Sequence, residues 1–211
     1  MWEIYDELIA LIPEDLTVLD CMVGLHWTLI RSDLGIGAAM TLKGGKSGKE
    51  LTSITGMSLK ELATYVKSFN MLQASLGQAA INSVLNTPSN IMAITGPPVA
   101  KTAEPDEANA FAQFLPDIAG KKVAVIGHFP NIEALSIICQ LSIIEREPQA
   151  GDYPDPACEF ILPQQDYVFI TGTAFINKTM PRLLELSLKA KTIVVGPSVP
   201  TTPGLFNYGV D

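Results

Sequence analysis

Two histidines and three cysteines are the scarcest reactive side chains in this 211-residue chain. His128 stands in the stretch KKVAVIGHFPN, Lys121 to Asn131. Four apolar, mostly β-branched residues, Val123 to Ile126, run into Gly127, and Asn131 with Glu133 then opens an apolar run of helical spacing. A short buried strand, a glycine turn and a capped helix form the first half of a β-α-β unit. Ligands of open α/β sheets bind outside the carboxyl ends of the strands. His128 is therefore expected in a ligand crevice, as a proton carrier or a ligand, since an ordinary imidazole titrates near pH 6.5. The alternative is a turn histidine bonded to backbone.

Three further predicted strands end in polar turns: Leu141–Ile144 in Glu145-Arg146, Tyr167–Ile170 in Thr171-Gly172-Thr173, and Ile193–Val195 in Gly196-Pro197-Ser198. All four turns are expected to converge at one sheet edge. Gly127, Phe129, Thr171, Gly172, Thr173, Gly196 and Ser198 then line the site, with Phe129 able to stack on a flat ring. Glu145 lies 18 residues beyond Gly127. That is close to the spacing of a ribose-binding acid in dinucleotide folds, so a nucleoside-like ligand such as adenosyl-methionine is considered. The G-x-G-x-x-G fingerprint is absent, which disfavours a pyrophosphate. Equally, Glu145 can be a solvated strand end paired with Arg146.

The segment Glu145 to Glu159 is rich in carboxylates. Asp152, Asp155, Cys158 and Glu159 are the candidate ligands of a divalent metal. No C-x-x-C or His-x-x-x-His pair supports dedicated zinc, and Asp155 can instead cap a helix. GKS at Gly45 to Ser47 lacks the first glycine of a phosphate loop and reads as a hairpin turn within Lys43–Lys49. His26 reads as a histidine satisfied within a strand. Gly24, His26 and Asn82 are the first-half residues considered for the crevice.

The elements that must hold these residues fall into two halves. Trp2–Ile12 is a predicted helix, Leu16–Ile30 one strand bent at Gly24, and Asp33–Leu42 another strand. Ser58 with Glu61 is a capping box for a helix with the stripe Leu59, Leu62, Val66 and Phe69. Asn70–Leu85 is a helix with a small-residue face. Asn86–Pro105 loses periodicity, and its prolines place the domain boundary there. A domain of helices and strands over 1–90 then precedes a parallel-sheet domain over 106–211, an α/β fold class. In the second, Asp106 caps a helix Glu107–Leu115 stopped by Pro116, Asn131–Cys139 and Asp155–Leu162 are helices, and Asn177 caps a helix running to Ala190.

Composition narrows the function. A chain 47% hydrophobic, 17% charged and of net charge −8 is globular and lacks the basic stripe of a nucleic-acid binder. No apolar run approaches the ~20 residues of a membrane span. The N-terminus MWEIYDEL lacks a signal-peptide pattern, and Cys21, Cys139 and Cys158 suit a reducing compartment. The expectation is a cytoplasmic protein whose partner is a small molecule, not nucleic acid or membrane, with self-association into a homo-oligomer left open.

GHFP at Gly127–Pro130, EREPQAGDYPDPACE at Glu145–Glu159, ITGTAFIN at Ile170–Asn177, GPSVPTTPGLF at Gly196–Phe206 and, more loosely, LGQAAINSVLN at Leu76–Asn86 resemble a bacterial and archaeal family described as putative heavy-metal chelation proteins. The resemblance implies an enolase N-terminal-like α+β domain, a Rossmann-like domain and an active site between them. It also implies a likeness to methyltransferases, and condensation or hydrolysis in making a pterin-, flavin- or siderophore-like chelator. Members of the family extend past a motif like Tyr208–Asp211, so the sequence is expected to be a truncated form.

Overall fold

The computed structural model describes residues 2–47, 53–96 and 110–211. The chain divides into two compact units. The first holds 1–98, 172–181 and 196–208, and the second holds 99–171, 182–195 and 209–211. The first is α+β around an antiparallel sheet, and the second is Rossmann-like around a parallel sheet.

In the first unit, helix α1 (Glu3–Ala10) buries Ile4, Tyr5, Leu8 and Ile9 along one stripe. A three-stranded meander follows: β1 (Val18–Val23), β2 (Trp27–Ser32) and β3 (Ile36–Met40). The single bent strand expected over Leu16–Ile30 is two strands. Gly24 accepts no bend but closes a turn, its N–H donating to the Trp27 carbonyl at 2.8 Å. Continuous β-branched and aromatic character hid the reversal. The hairpin turn expected over Lys43–Lys49 lies partly beyond what is described. Residues 48 and 49 lie outside the described residues, and Lys46 donates its N–H to the Phe69 carbonyl at 2.8 Å.

Helix α2 (Leu59–Thr64) begins as its capping residue predicts, Ser58 Oγ accepting the Glu61 N–H at 3.4 Å. Leu59, Leu62 and Val66 are buried, but Phe69 lies past the helix end and is exposed. Helix α3 (Met71–Leu85), capped by Asn70, is the centre of this unit. Its small residues let neighbours approach closely, and a Cβ on Gly77 would stand 2.1 Å from the Val66 nitrogen. Helix α4 (Pro88–Thr95) occupies the stretch expected to be aperiodic. Thr87 caps it and Pro88 sits in its first turn, where a missing N–H costs no hydrogen bond. The rest of the expected boundary, through Pro105, and most of the helix expected over Glu107–Leu115 lie outside the described residues.

Pro116 does not stop a helix but begins one, α5 (Leu115–Ile118). The second unit is then built on β4 (Lys122–Ile126), β5 (Gln140–Glu145), a two-residue β6 (Tyr153–Pro154), β7 (Tyr167–Thr171) and β8 (Lys191–Val195). They pair in parallel in the order β6-β5-β4-β7-β8. β4 lies between β5 and β7, with Val123, Ala124, Val125 and Ile126 all buried. A strand covered on both faces must be apolar throughout, which is why periodicity is lost there. On one face Val123, Val125, Phe169 and Ile193 pack with Phe111 and Ile132.

The helices here are shorter than expected. Asn131–Cys139 is a 3-10 segment, Ile132–Ile137. Asn131 does not cap it, because at φ 58° it holds a left-handed turn conformation. Asp155–Leu162 breaks into 3-10 pieces around α6 (Cys158–Ile161), and Asp155 makes no cap. The helix expected from Asn177 to Ala190 is two, α7 (Thr173–Ile176) and α8 (Met180–Leu186). Asn177 Oδ1 instead accepts from Thr179 N at 3.1 Å in the turn between them.

Gly77→Ala should lose more by clash than it gains in helix propensity. Urea unfolding is expected to show a net loss of roughly 1–3 kcal/mol. Unchanged stability would refute the close contact.

Candidate functional site

Reading β4 as the first strand of the parallel sheet, the spatial order is 3-2-1-4-5. The chain winds one way to β5 and β6, and the other way to β7 and β8. Crossovers leaving in opposite directions place the switch point of a doubly wound sheet, where ligands of such folds bind, at the carboxyl ends of the central strands. Gly127 leaves β4 there. Its φ of 102° is a conformation that glycine alone adopts without strain, and a Cβ would lie 3.1 Å from the Thr171 side chain at the end of β7.

His128 follows, its side chain 19% exposed. Three contacts fix it. Its backbone N–H donates to Glu145 Oε2 at 3.0 Å. Its Nδ1 lies 3.1 Å from Asp152 Oδ2, and its Nε2 lies 2.9 Å from Glu133 Oε1. Asp152 is the buried partner, 3% exposed, and Glu133 the exposed one at 62%. Asp152 is held in turn: Oδ2 accepts the Gln149 N–H at 3.0 Å, and the Asp152 N–H donates to the Gln149 carbonyl at 3.0 Å.

The arrangement has an electrostatic consequence. Burial alone lowers the His128 pKa, but the hydrogen bond and charge of Asp152, with those of Glu133, outweigh it and raise the value above its ordinary 6.5. The protonated ring donates to both carboxylates. The neutral ring keeps its proton on Nδ1, facing buried Asp152, and turns a lone pair toward Glu133. Two lone pairs at 2.9 Å repel, so loss of the proton weakens the contact between Nε2 and Glu133.

The expected site residues are placed as follows. His128, Glu145 and Asp152 come together, with Gly127 and Thr171 beside them. Glu145 spends one contact of each oxygen on backbone, Oε2 on His128 N and Oε1 on Arg146 N at 2.6 Å, so it shapes the turn. Phe129 packs edge-on against Phe111 at 5.3 Å, anchoring the turn to the core. Gly172, Thr173, Gly196 and Ser198 belong to the first unit. Ser198 is buried there, Oγ accepting the Met40 N–H at 2.9 Å and its carbonyl accepting from Gln78 Nε2 at 3.0 Å. Of the first-half candidates, Gly24 lies in a turn and Asn82 is buried on α3, donating to the Ala38 carbonyl at 2.8 Å.

The four residues considered for a metal each have other partners. Asp152 holds His128. Asp155 Oδ2 lies 3.5 Å from Arg146 Nε. Glu159 takes Arg182 in a two-pronged pair at 2.9 and 2.6 Å. Cys158 is buried, and desolvation with the nearby Asp155 charge pushes its thiol up to about 12, leaving no thiolate at neutral pH. Among the described residues no three His, Cys, Asp or Glu side chains are placed to hold an ion together. These residues do not fit a resident metal. Glu133 is the site residue that sequence reasoning passed over. Its type and place suit a helix start, and its spacing of five from His128 gives no helical pairing to signal the contact.

A doubly wound parallel sheet with a polar histidine turn at its switch point defines a Rossmann-like fold class. Two family models, both described as putative heavy-metal chelation, match residues 5–85 and 109–211. The crystal structure of a DUF364-family protein of unknown function from Desulfitobacterium hafniense is 42% identical, with a TM-score of 0.88 over 100% of this chain and 84% of its own. A second structure of that family, from Pyrococcus horikoshii, is 24% identical with a TM-score of 0.71 over 96% of this chain and 81% of its own, a likeness in fold. An uncharacterised protein of Methanocaldococcus jannaschii is 29% identical over 210 residues, 93% of this chain and 77% of its own. The chain belongs to this family. No helix among the described residues is long and apolar enough to cross a membrane.

A histidine whose pKa is raised by folding contributes stability that is complete below the unfolded value near 6.5, and is lost as pH rises through the folded value. The stability gap between wild type and His128→Ala should therefore shrink from about pH 5.5 to pH 8.5. An NMR titration should place the His128 midpoint above 6.5, and Asp152→Asn should lower it. A wild-type midpoint at or below 6.5 would contradict the dyad.

Proposed function

We propose that the chain binds a small, polar metal-chelating molecule, free or as its metal complex, at the carboxyl edge of the parallel sheet. His128 exchanges a proton with it through Nε2. One observation carries this reading: a histidine at the switch point is oriented by a carboxylate that is 3% exposed, while its other nitrogen faces a carboxylate that is 62% exposed. A buried Asp on Nδ1 fixes the tautomer and raises the basicity of Nε2, as in acid–base pairs and in histidines that ligate metals through Nε2.

The family description supports a metal as cargo. His128 Nε2 and Glu133 Oε1 supply two donors, too few for a stable protein cage, so the ligand brings the rest. A non-catalytic protein that sequesters such a complex uses the same two donors. An enzyme that condenses or hydrolyses a pterin-, flavin- or siderophore-like chelator uses Nε2 as its base, with water, hydroxyl or amine as the proton source. A nucleoside such as adenosyl-methionine has less support, because both Glu145 oxygens already accept backbone N–H groups.

Thermal denaturation with nickel, nickel citrate, a pterin and adenosine tests this. The complex or the pterin should raise the melting temperature by roughly 5–10 °C at a hundredfold excess over its Kd, and His128→Ala should abolish the rise. Stabilisation by bare nickel alone, retained in His128→Ala, would overturn the reading.

A further inference from the structure

The antiparallel sheet of the first unit has two unlike faces. Residues directly opposite across the strands share a face. Thr28, Ile30 and Ala39 point inward and are fully buried. The other face carries the row Met22, Leu29 and Ala38 and the row Asp20, Arg31 and Ile36, with Trp27 beyond. It is apolar but wet: Met22 is 55%, Ile36 63% and Trp27 38% exposed. The turns that frame it add Leu25 and Leu34, also exposed. An antiparallel sheet with one solvated face normally shows polar residues there. A contiguous apolar patch of this kind marks an interaction surface.

The charges on the face indicate what covers it. The chain carries −8 overall. These rows hold one acid and one base, neighbours across the strands, Arg31 Nη2 lying 3.9 Å from Asp20 Oδ2 with both side chains more than half exposed. Such a face is electrically neutral and self-complementary. A two-fold rotation sets acid against base twice and apolar rows against each other, the condition an isologous dimer requires. An acidic partner finds no basic field here, nor a basic partner an acidic one.

We propose that this sheet face is a two-fold interface between two copies of the chain, with Asp20 of one copy meeting Arg31 of the other. Aligned sheets pack in this way about 10 Å apart, with interleaved side chains. The inference is independent of the chemistry assigned to His128.

Sedimentation equilibrium of the full chain from about 1 to 100 μM tests it, a range in which standard-sized interfaces assemble. The expected result is a mass twice that of one chain, holding at high salt. Ile36→Lys should weaken association at least about tenfold. Ile36 is exposed, so the far-ultraviolet circular dichroism should not change. Arg31→Asp should weaken association, and the double exchange Asp20→Arg with Arg31→Asp should restore it. A wild-type monomer at the top concentration overturns the proposal, and co-sedimentation of that monomer with anionic phospholipid vesicles would assign the face to a membrane surface. An Ile36→Lys dimer as tight as wild type, or a double exchange that stays weak, overturns it as well.

Discussion

β4 must satisfy its backbone on both edges and bury its side chains on both faces at once. Its register with β5 and β7 uses every residue from Val123 to Ile126, and none of the four side chains is polar. Nothing about the strand is adjustable: a one-residue slip would misalign two ladders together. The position of Gly127 follows from that rigidity, and the direction of His128 follows from Gly127. The polar turn is thus mounted on the least deformable part of the second unit, where the position of a side chain is held most firmly.

Around this strand the energetics change character. Within the sheet, burial and ladder hydrogen bonds dominate. One residue beyond, the arrangement is electrostatic, and its parts come from distant segments: Glu145 from the end of β5, Asp152 from the loop after it, Glu133 from the 3-10 turn. Each has a separate task. Glu145 ties the His128 backbone to the neighbouring strand, Asp152 sets the ring, and Glu133 answers its charge. A site assembled this way resembles an acid–base constellation more than a metal cage, because its carboxylates converge on a side chain and not on an empty point.

How much of this was legible in the sequence depended on range. β4, β7 and β8 stood out because buried parallel strands are short unbroken apolar runs. Ser58 announced its helix because capping is local chemistry. The β1–β2 reversal was hidden, since Leu25, His26 and Trp27 carry no turn signal. Asn131 misled because its backbone took the left-handed conformation instead of offering its side chain. His128 was singled out by its place after a strand. Which of five acids between Glu145 and Glu159 would meet it could not be read, because that is decided by the tertiary path of a loop. Ser198 was expected to face a ligand, and its burial against Met40 depends on contacts more than a hundred residues apart.

Gly172 has backbone for a neighbour. A Cβ there would meet the nitrogen of Val199 at 2.6 Å and the carbonyl carbon of Ser198 at 2.8 Å. The turns that leave β7 and β8 therefore touch main chain to main chain, with the Val199 side chain closing the contact 2.8 Å from the same Cβ and little left to absorb a change. Neither can lengthen or shift by itself. Over evolutionary time the two turns are bound to drift as a pair, and a graft that exchanges one of them between relatives will succeed only when its companion travels with it.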